Sequence, residues 1–519
     1  MIPAPPAPRP PAALGWLLLA PAAFAALACL VVPSVHTVVM STRSVRLLAR
    51  RDEPVGLANY AAVLGDEGFW RALAFSLLVT LVPLLVAVVV APPLALALDL
   101  GGTGVRRTGR VVLSLAVITF SPIAVVAAWT RGLRPDATGL ATLVRGVAGE
   151  GAALTFPLVV AAMTFGVVCA LATLAFLPAL RGGTVTPAML AVAALVVLTL
   201  LAVGLQAFTF SSALSRGGSG GTRTLGAYML FEGLAAGRLG PAAAAATLTG
   251  VLIGGLGLAA VAVVVLGGMR LHLSPRPAGP SRPVAGVLAL VVVVAVGLVL
   301  AWPWITALSG GEETLPVTLG TYVRTWLPAL AGALVSVAVA YVAALGIGGL
   351  RPLGRHSEWL LLPFAPWALA GVGPFSLATW TYVRDLGLMD TLIALVPPML
   401  VSVPALVVLT LLCRGLAERA QAGFLRGVVL PSLPMAGVLT GGITLVNAQD
   451  GLWPLMVFQR PSNGPATMLL SQSLNSYRGT TVDVGVTTPL PVMLLALAAV
   501  VAAQLLYLDR LAITMGRSA

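Results

Sequence analysis

The sequence predicts an all-α polytopic membrane protein of about twelve transmembrane helices, set out as two tandem six-helix halves. Three observations carry that expectation. The 519 residues are 59% hydrophobic and only 9% charged, with a mean hydropathy of +1.01. Soluble domains carry about 25% charged residues, so a chain of this composition belongs in lipid. Twelve apolar runs reach the roughly 20 residues that a crossing needs. A Pro- and Arg-rich break at 269–282 divides these runs six and six. Two sextets with both termini on one side make a parallel repeat, its pseudo-twofold axis along the membrane normal.

In order, residues 1–13 read as a Pro-rich cytoplasmic tail. The run that follows reads as a retained helix and not a cleaved leader, because only Arg9 precedes it and its apolar core is span-length. Spans are expected near 14–34, 72–99, 111–130, 153–178, 187–208 and 241–268, which make an N-terminal half of 14–268. After the 269–282 linker come runs near 283–305, 326–349, 358–382, 391–413, 430–449 and 488–508, in a C-terminal half of 283–519. The short loops 101–110, 269–282, 350–357 and 414–429 are denser in Arg than the longer loops opposite them. Arg106, Arg107 and Arg110 stand next to span ends. The positive-inside rule therefore puts both termini in the cytoplasm of a plasma (inner) membrane protein.

Several function classes drop out. The net charge is +13, all of its basic residues are Arg, and they are scattered between apolar runs. No basic helix or aromatic platform gathers them, which argues against nucleic acid. Cys29, Cys169 and Cys413 are far apart and read as small hydrophobes, and His36, His272 and His356 are isolated, so neither a disulfide framework nor a metal site is expected. There is no G-x-x-x-x-G-K-S/T motif and no Ser-His-Asp or paired-carboxylate arrangement. The expectation is a non-enzyme that holds no cofactor of its own.

The informative stretch is 424–458, an apolar helix ending in Asn447, Gln449 and Asp450 and closed by Trp453-Pro454. Such groups lose hydration in lipid unless they face protein or a wet path. With Gln206 in the first half they form the candidate substrate pathway. Amides and carboxylates suit the hydroxyls of a neutral polyol or sugar. Trp453 reads either as a stacking platform or as an interfacial anchor, and Asn447 either as pore lining or as a helix-packing hydrogen bond. Thr119, Ser121, Thr379 and Thr381 are weaker candidates, since hydroxyls in membrane helices often bond their own backbone.

These segments also resemble the membrane subunits of carbohydrate-type ABC importers, the larger and smaller subunits fused. Leu430-Pro431, Pro434, Val446-Asn447 and Leu452-Trp453-Pro454-Leu455 match the segment after the coupling loop. Gly56, Leu57, Asn59, Tyr60, Asp66, Phe69, Trp70, Ala72 and Leu73 match the external segment of the larger subunit. Gln206, Phe208, Gly217, Gly218, Thr222, Thr224, Leu225 and Tyr228 match a later one, and Leu386–Leu392 matches the smaller subunit's L-G-L-x-D-T. The resemblance implies cytoplasmic ATPase subunits that consume the ATP, and an extracellular substrate-binding protein docking near Asn59, Tyr60, Asp66 and Trp70. It places ATPase coupling at Glu418, Arg419, Ala420 and Gly423, with Arg181 in the first half. Both coupling loops depart from the family pattern: the acid before the glycine is missing near Gly423, and residues 178–187 are too short for a docking helix. Two other readings stay open, an ion-coupled secondary transporter and a degenerate, non-transporting membrane scaffold. Few acids lie within predicted spans, which weighs against the ion-coupled carrier.

Overall fold

The structure, a computed structural model, describes residues 12–45, 53–148, 151–214, 221–273, 282–308, 317–419, 423–460, 464–475 and 483–516. Among the described residues nine helical runs are long and apolar enough to cross a bilayer, and a bent pair makes a tenth if it is one broken span and not a re-entrant loop. The N-terminal half holds α1 (Ala12–Ser41), α2 (Glu67–Leu100), the bent pair α3 (Gly102–Ile118) and α4 (Pro122–Leu133), α5 (Ala152–Leu180), α6 (Val185–Leu214) and α7 (Leu239–Leu266). The C-terminal half holds α8 (Pro283–Leu308), α9 (Leu319–Leu350), the shorter α10 (Val403–Ala417), α11 (Leu425–Ala448) and α12 (Leu490–Arg510). The strands β1 (Arg270–His272) and β2 (Ala512–Thr514) follow α7 and α12. In α8 and α12 the central window is only 6% buried, so these helices turn valine and leucine outward, as a lipid-facing helix does.

Three of the twelve expected runs are not single α-helices, and proline explains each. The run at 111–130 breaks into α3 and α4 at a bend of 71°. There Ser121 caps the new helix by accepting from the Ala124 N–H, and Pro122 takes its first position. The run at 358–382 is a 3-10 helix over Gly354–Trp367 carrying Pro363 and Pro366, followed by turns and the α-helix Ser376–Asp385. Of the run at 391–413, only α10 is α-helical, since Pro397 and Pro398 hold the preceding residues in turns.

Proline also marks the long helices. The π turns Leu27–Val31, Val86–Val90, Leu345–Leu350 and Leu425–Val429 each end two residues before a proline: Pro33, Pro92, Pro352 and Pro431. A proline ring clashes with the carbonyl four residues back and supplies no N–H to it. Three of those carbonyls, on Cys29, Val88 and Gly427, lie inside π turns that continue into helix, where widening relieves the clash, whereas Pro352 follows the left-handed Arg351 that ends its helix.

The two halves cross-pack reciprocally. The first helix of each half lies on the second helix of the other: α1 on α9, and α8 on α2. Each half's last helix lies on the other's third stretch, α7 on the 3-10 helix Gly354–Trp367 and α12 on α3. The loops near 101, 182, 271, 351, 416 and 508 gather at one end of the bundle, which we call the tail end. Contacts there include Arg282 N–H to Leu100 O (2.7 Å), Arg181 to Asp509 and Arg270 to Glu418.

Candidate functional site

At the end opposite the tails, the fifth helices of the two halves, α6 and α11, close in the same way. Gln206 and Gln449 each occupy the C-terminal cap of their helical body, with backbone N–H groups turned back to Ala202 and Val203, and to Leu445 and Val446. Gln206 then crosses between halves. Its Nε2 donates to Leu369 O (3.0 Å) and its Oε1 accepts from Gly371 N–H (2.5 Å). Gly373, Ser376 and Leu452 join Gln206 around a cavity of about 10 Å³, no more than a single water needs.

The structure brings Gln206 and the Asp450–Leu452 turn to one seam, with Gly451 facing Thr209. Asp450 accepts from the Leu452 N–H (2.9 Å), and its backbone carbonyl accepts from Thr467 (3.1 Å). Burial pushes its carboxyl above the usual carboxylate range, while the N–H groups of Leu452 and Trp453 pull it back in part. Gln449 donates to Thr487 O (3.0 Å), and its Oε1 is buried without a partner. Asn447 donates to Ala329 O of α9 (3.2 Å), a helix-packing bond. Trp453 is 1% exposed and donates to Ala394 O, so its ring is core and offers no stacking face. The hydroxyls of Thr119, Thr379 and Thr381 bond carbonyls of their own helical turns.

Of the four residues expected at the external docking surface, Asn59 is buried, with its amide donating to Ser41 O and Arg43 O. Tyr60 bonds Ser41 Oγ, and Asp66 caps α2 at Gly68 while accepting from Tyr228 Oη (2.7 Å). These three fasten the loop to helix ends. Trp70 is 50% exposed, its Nε1 held by Leu64 O.

At the tail end the expected coupling residues sit in ion networks. Arg181 is buried and donates to the backbone carbonyl of Asp509 (2.5 Å). Asp509 also meets Arg106 (2.8 Å), Arg107 (3.0 Å) and Arg181 (3.4 Å), and Arg106 reaches Asp99 (3.3 Å). Burial depresses the Arg181 guanidinium pKa, helped by the neighbouring Arg106. Glu418 pairs with Arg270 (3.2 Å), Arg351 (3.6 Å) and Arg414 (3.2 Å), and Arg414 also holds Glu358 (3.0 Å). Arg419 and Gly423 are exposed, and Ala420 lies outside the described residues, as do Gly217 and Gly218.

Sequence reasoning missed these networks. It read Arg106, Arg107 and Arg110 as topology signals only, although an acid at a span end, Asp509, was the available clue: buried charges are paired. Among the described residues no group of acids, cysteines and histidines could hold a metal. No protein-family model matches the chain, and a search of curated proteins finds no match either.

Proposed function

We propose that the chain is the transmembrane permease of a binding-protein-dependent ABC importer for a carbohydrate or similar polar solute. In this reading both permease halves are fused in one chain, and separate ATPase subunits drive alternating access. The observation that carries the reading is the reciprocal packing of the halves: first helix on second, last on third, in both directions. Two like-built halves meeting along a seam are what an alternating-access path between repeats requires. The order of the resembling segments along the chain supports that class. Gln206 and the Asp450 turn supply amide, carboxylate and backbone groups at that seam, chemistry suited to hydroxyls. The seam cavity holds about one water, so passage requires the halves to part.

In this assignment the Arg-dense tail end faces the cytoplasm of the plasma membrane. The half-exposed Trp70 is the part of the far end left free for an external binding protein. Co-purification of ATPase subunits, with hydrolysis stimulated by a loaded binding protein, is the expected result. Uptake that collapses with an ionophore and ignores ATP would instead establish an ion-coupled carrier. A non-transporting scaffold is favoured by one observation, that Arg181 and Glu418 spend their charge inside the chain. Stable complexes with other membrane proteins, and no uptake under either energy source, would establish it.

A further inference from the structure

The segments that follow the last helix of each half cross over. β1, which trails the N-terminal half, lies against α10 of the C-terminal half. β2, which trails the C-terminal half, lies against α5 and α6 of the N-terminal half. The strands pair antiparallel with Leu271 opposite Ile513, and both central side chains enter the largest apolar core. Their carbonyls point outward on opposite sides. A Cβ at Gly415 would overlap Leu271 O, and one at Gly182 would overlap Ile513 O. Each tail thus lays its central carbonyl on a glycine beside the other half's turn between fourth and fifth spans. The charges are complementary in opposite senses. Asp509 brings an acid to Arg106, Arg107 and Arg181, whereas Arg270 brings a base to Glu418.

We propose that β1 and β2 form a releasable crossed latch, which closes the tail end of the seam between the halves and pins Gly182 and Gly415 beside the two inter-span turns. Three-residue strands are too short to hold a two-stranded sheet by themselves, so the flanking ion pairs and core side chains must hold it. Those pairs are not optimised. Nε and Nη2 of Arg270 and Nε of Arg351 are buried without hydrogen-bond partners. Arg351 reaches Glu418 from a left-handed backbone, φ 54°, a conformation disfavoured for a long side chain such as arginine's. A closed state carrying such penalties is poised to open when a competing partner takes the charges. The inference rests on the permease reading only in naming the turns beside those glycines as ATPase docking ground.

The test needs no solute and no ATPase. Ile513→Cys, placed in the full chain with its three native cysteines changed to alanine, is exposed to a membrane-impermeant maleimide added from the tail side. Slow labelling is expected in that parent. Labelling about tenfold faster is expected with Glu418→Gln or Arg270→Gln added, the change an opening equilibrium shows for roughly 1.4 kcal/mol. Equal rates in parent and variants would overturn the latch. If the reporter chain fails to fold, a second measurement decides: His272→Cys with Ala512→Cys, oxidised and then cut within 274–280. The two halves should stay covalently joined, and their separation would overturn the pairing. Failure of any ATPase to co-purify would count against the permease reading alone.

Discussion

The two ends of the molecule join the halves by different means. At the tail end the joint is ionic and tightly packed: Asp509 sits among arginines of which Arg106 is 2% exposed, and two backbone carbonyls rest on glycine. At the opposite end one amide, that of Gln206, reaches across to Leu369 and Gly371 beside a cavity the size of a water molecule. The contrast teaches where opening is cheap. Parting the far end breaks the neutral bonds of Gln206, worth about 1 kcal/mol each, and one bond from Arg131 to Ala307 O, whereas parting the tail end breaks buried ion pairs.

That contrast can be broken most directly by one substitution made at both ends. Asp509→Asn should cost about 3–5 kcal/mol, because Arg106 and Arg181 stay buried with less countercharge. Asp390→Asn, at the far end, should cost less than about 1 kcal/mol, since its partner Arg460 is 76% exposed. Asparagine also tolerates the left-handed φ of 62° there. Thermal unfolding in detergent compares them, and equal losses would end the distinction.

Gly415→Ala comes next. Within a helix this change ordinarily stabilises by about 0.5–1 kcal/mol, but with Leu271 O in the way it should destabilise by about 1–3 kcal/mol. Gly183→Ala, with open space around it, should stay within about 0.5 kcal/mol. A stabilised Gly415→Ala chain would show that β1 does not sit on α10.

Gln206→Leu should cost about 1–3 kcal/mol, from the Gly371 N–H left without its acceptor. Asn447→Leu loses a single bond to Ala329 O and should cost about 0.5–1.5 kcal/mol. In the permease reading both impair uptake, and normal uptake by Asn447→Leu would remove Asn447 from the path.

The smallest effect is one of pH. Burial first, then Arg419 and Arg270, push the His272 imidazole below its ordinary value, against the pull of Glu418. The unfolded chain therefore binds more protons between the depressed value and about 6.5, and stability must fall as pH drops through that window. His272→Asn should flatten that part of the profile in unfolding experiments.

Much of the architecture was legible because lipid imposes a length and a composition on every crossing. Runs such as 241–268 and 283–305 became α7 and α8 with ends shifted by only a few residues. The meeting of 350–357 and 414–429 at one end followed from the number of apolar runs between them. The stretch at 354–402 was not legible, because hydropathy does not register the prolines that deny it an α-helix. For the site, polarity at the span ends singled out Gln206 and Asp450, but not the partners of these or of the neighbouring residues. Trp453 meets Ala394 and Gln206 meets Gly371 through contacts separated by 59 and 165 positions in sequence. The Arg106–Asp509 pair spans 403, a distance no local pattern can encode.

The crossing of the tails also governs the order of assembly. A ribosome releases α1 and β1 long before α9 and α10, the surfaces they rest on, have been made. In the N-terminal half the Val32–Ser41 part of α1 can already pack on α7, but Ala12–Ala26 and β1 stay undocked until α9 and α10 have been made, and Gly182 is covered only when β2 arrives.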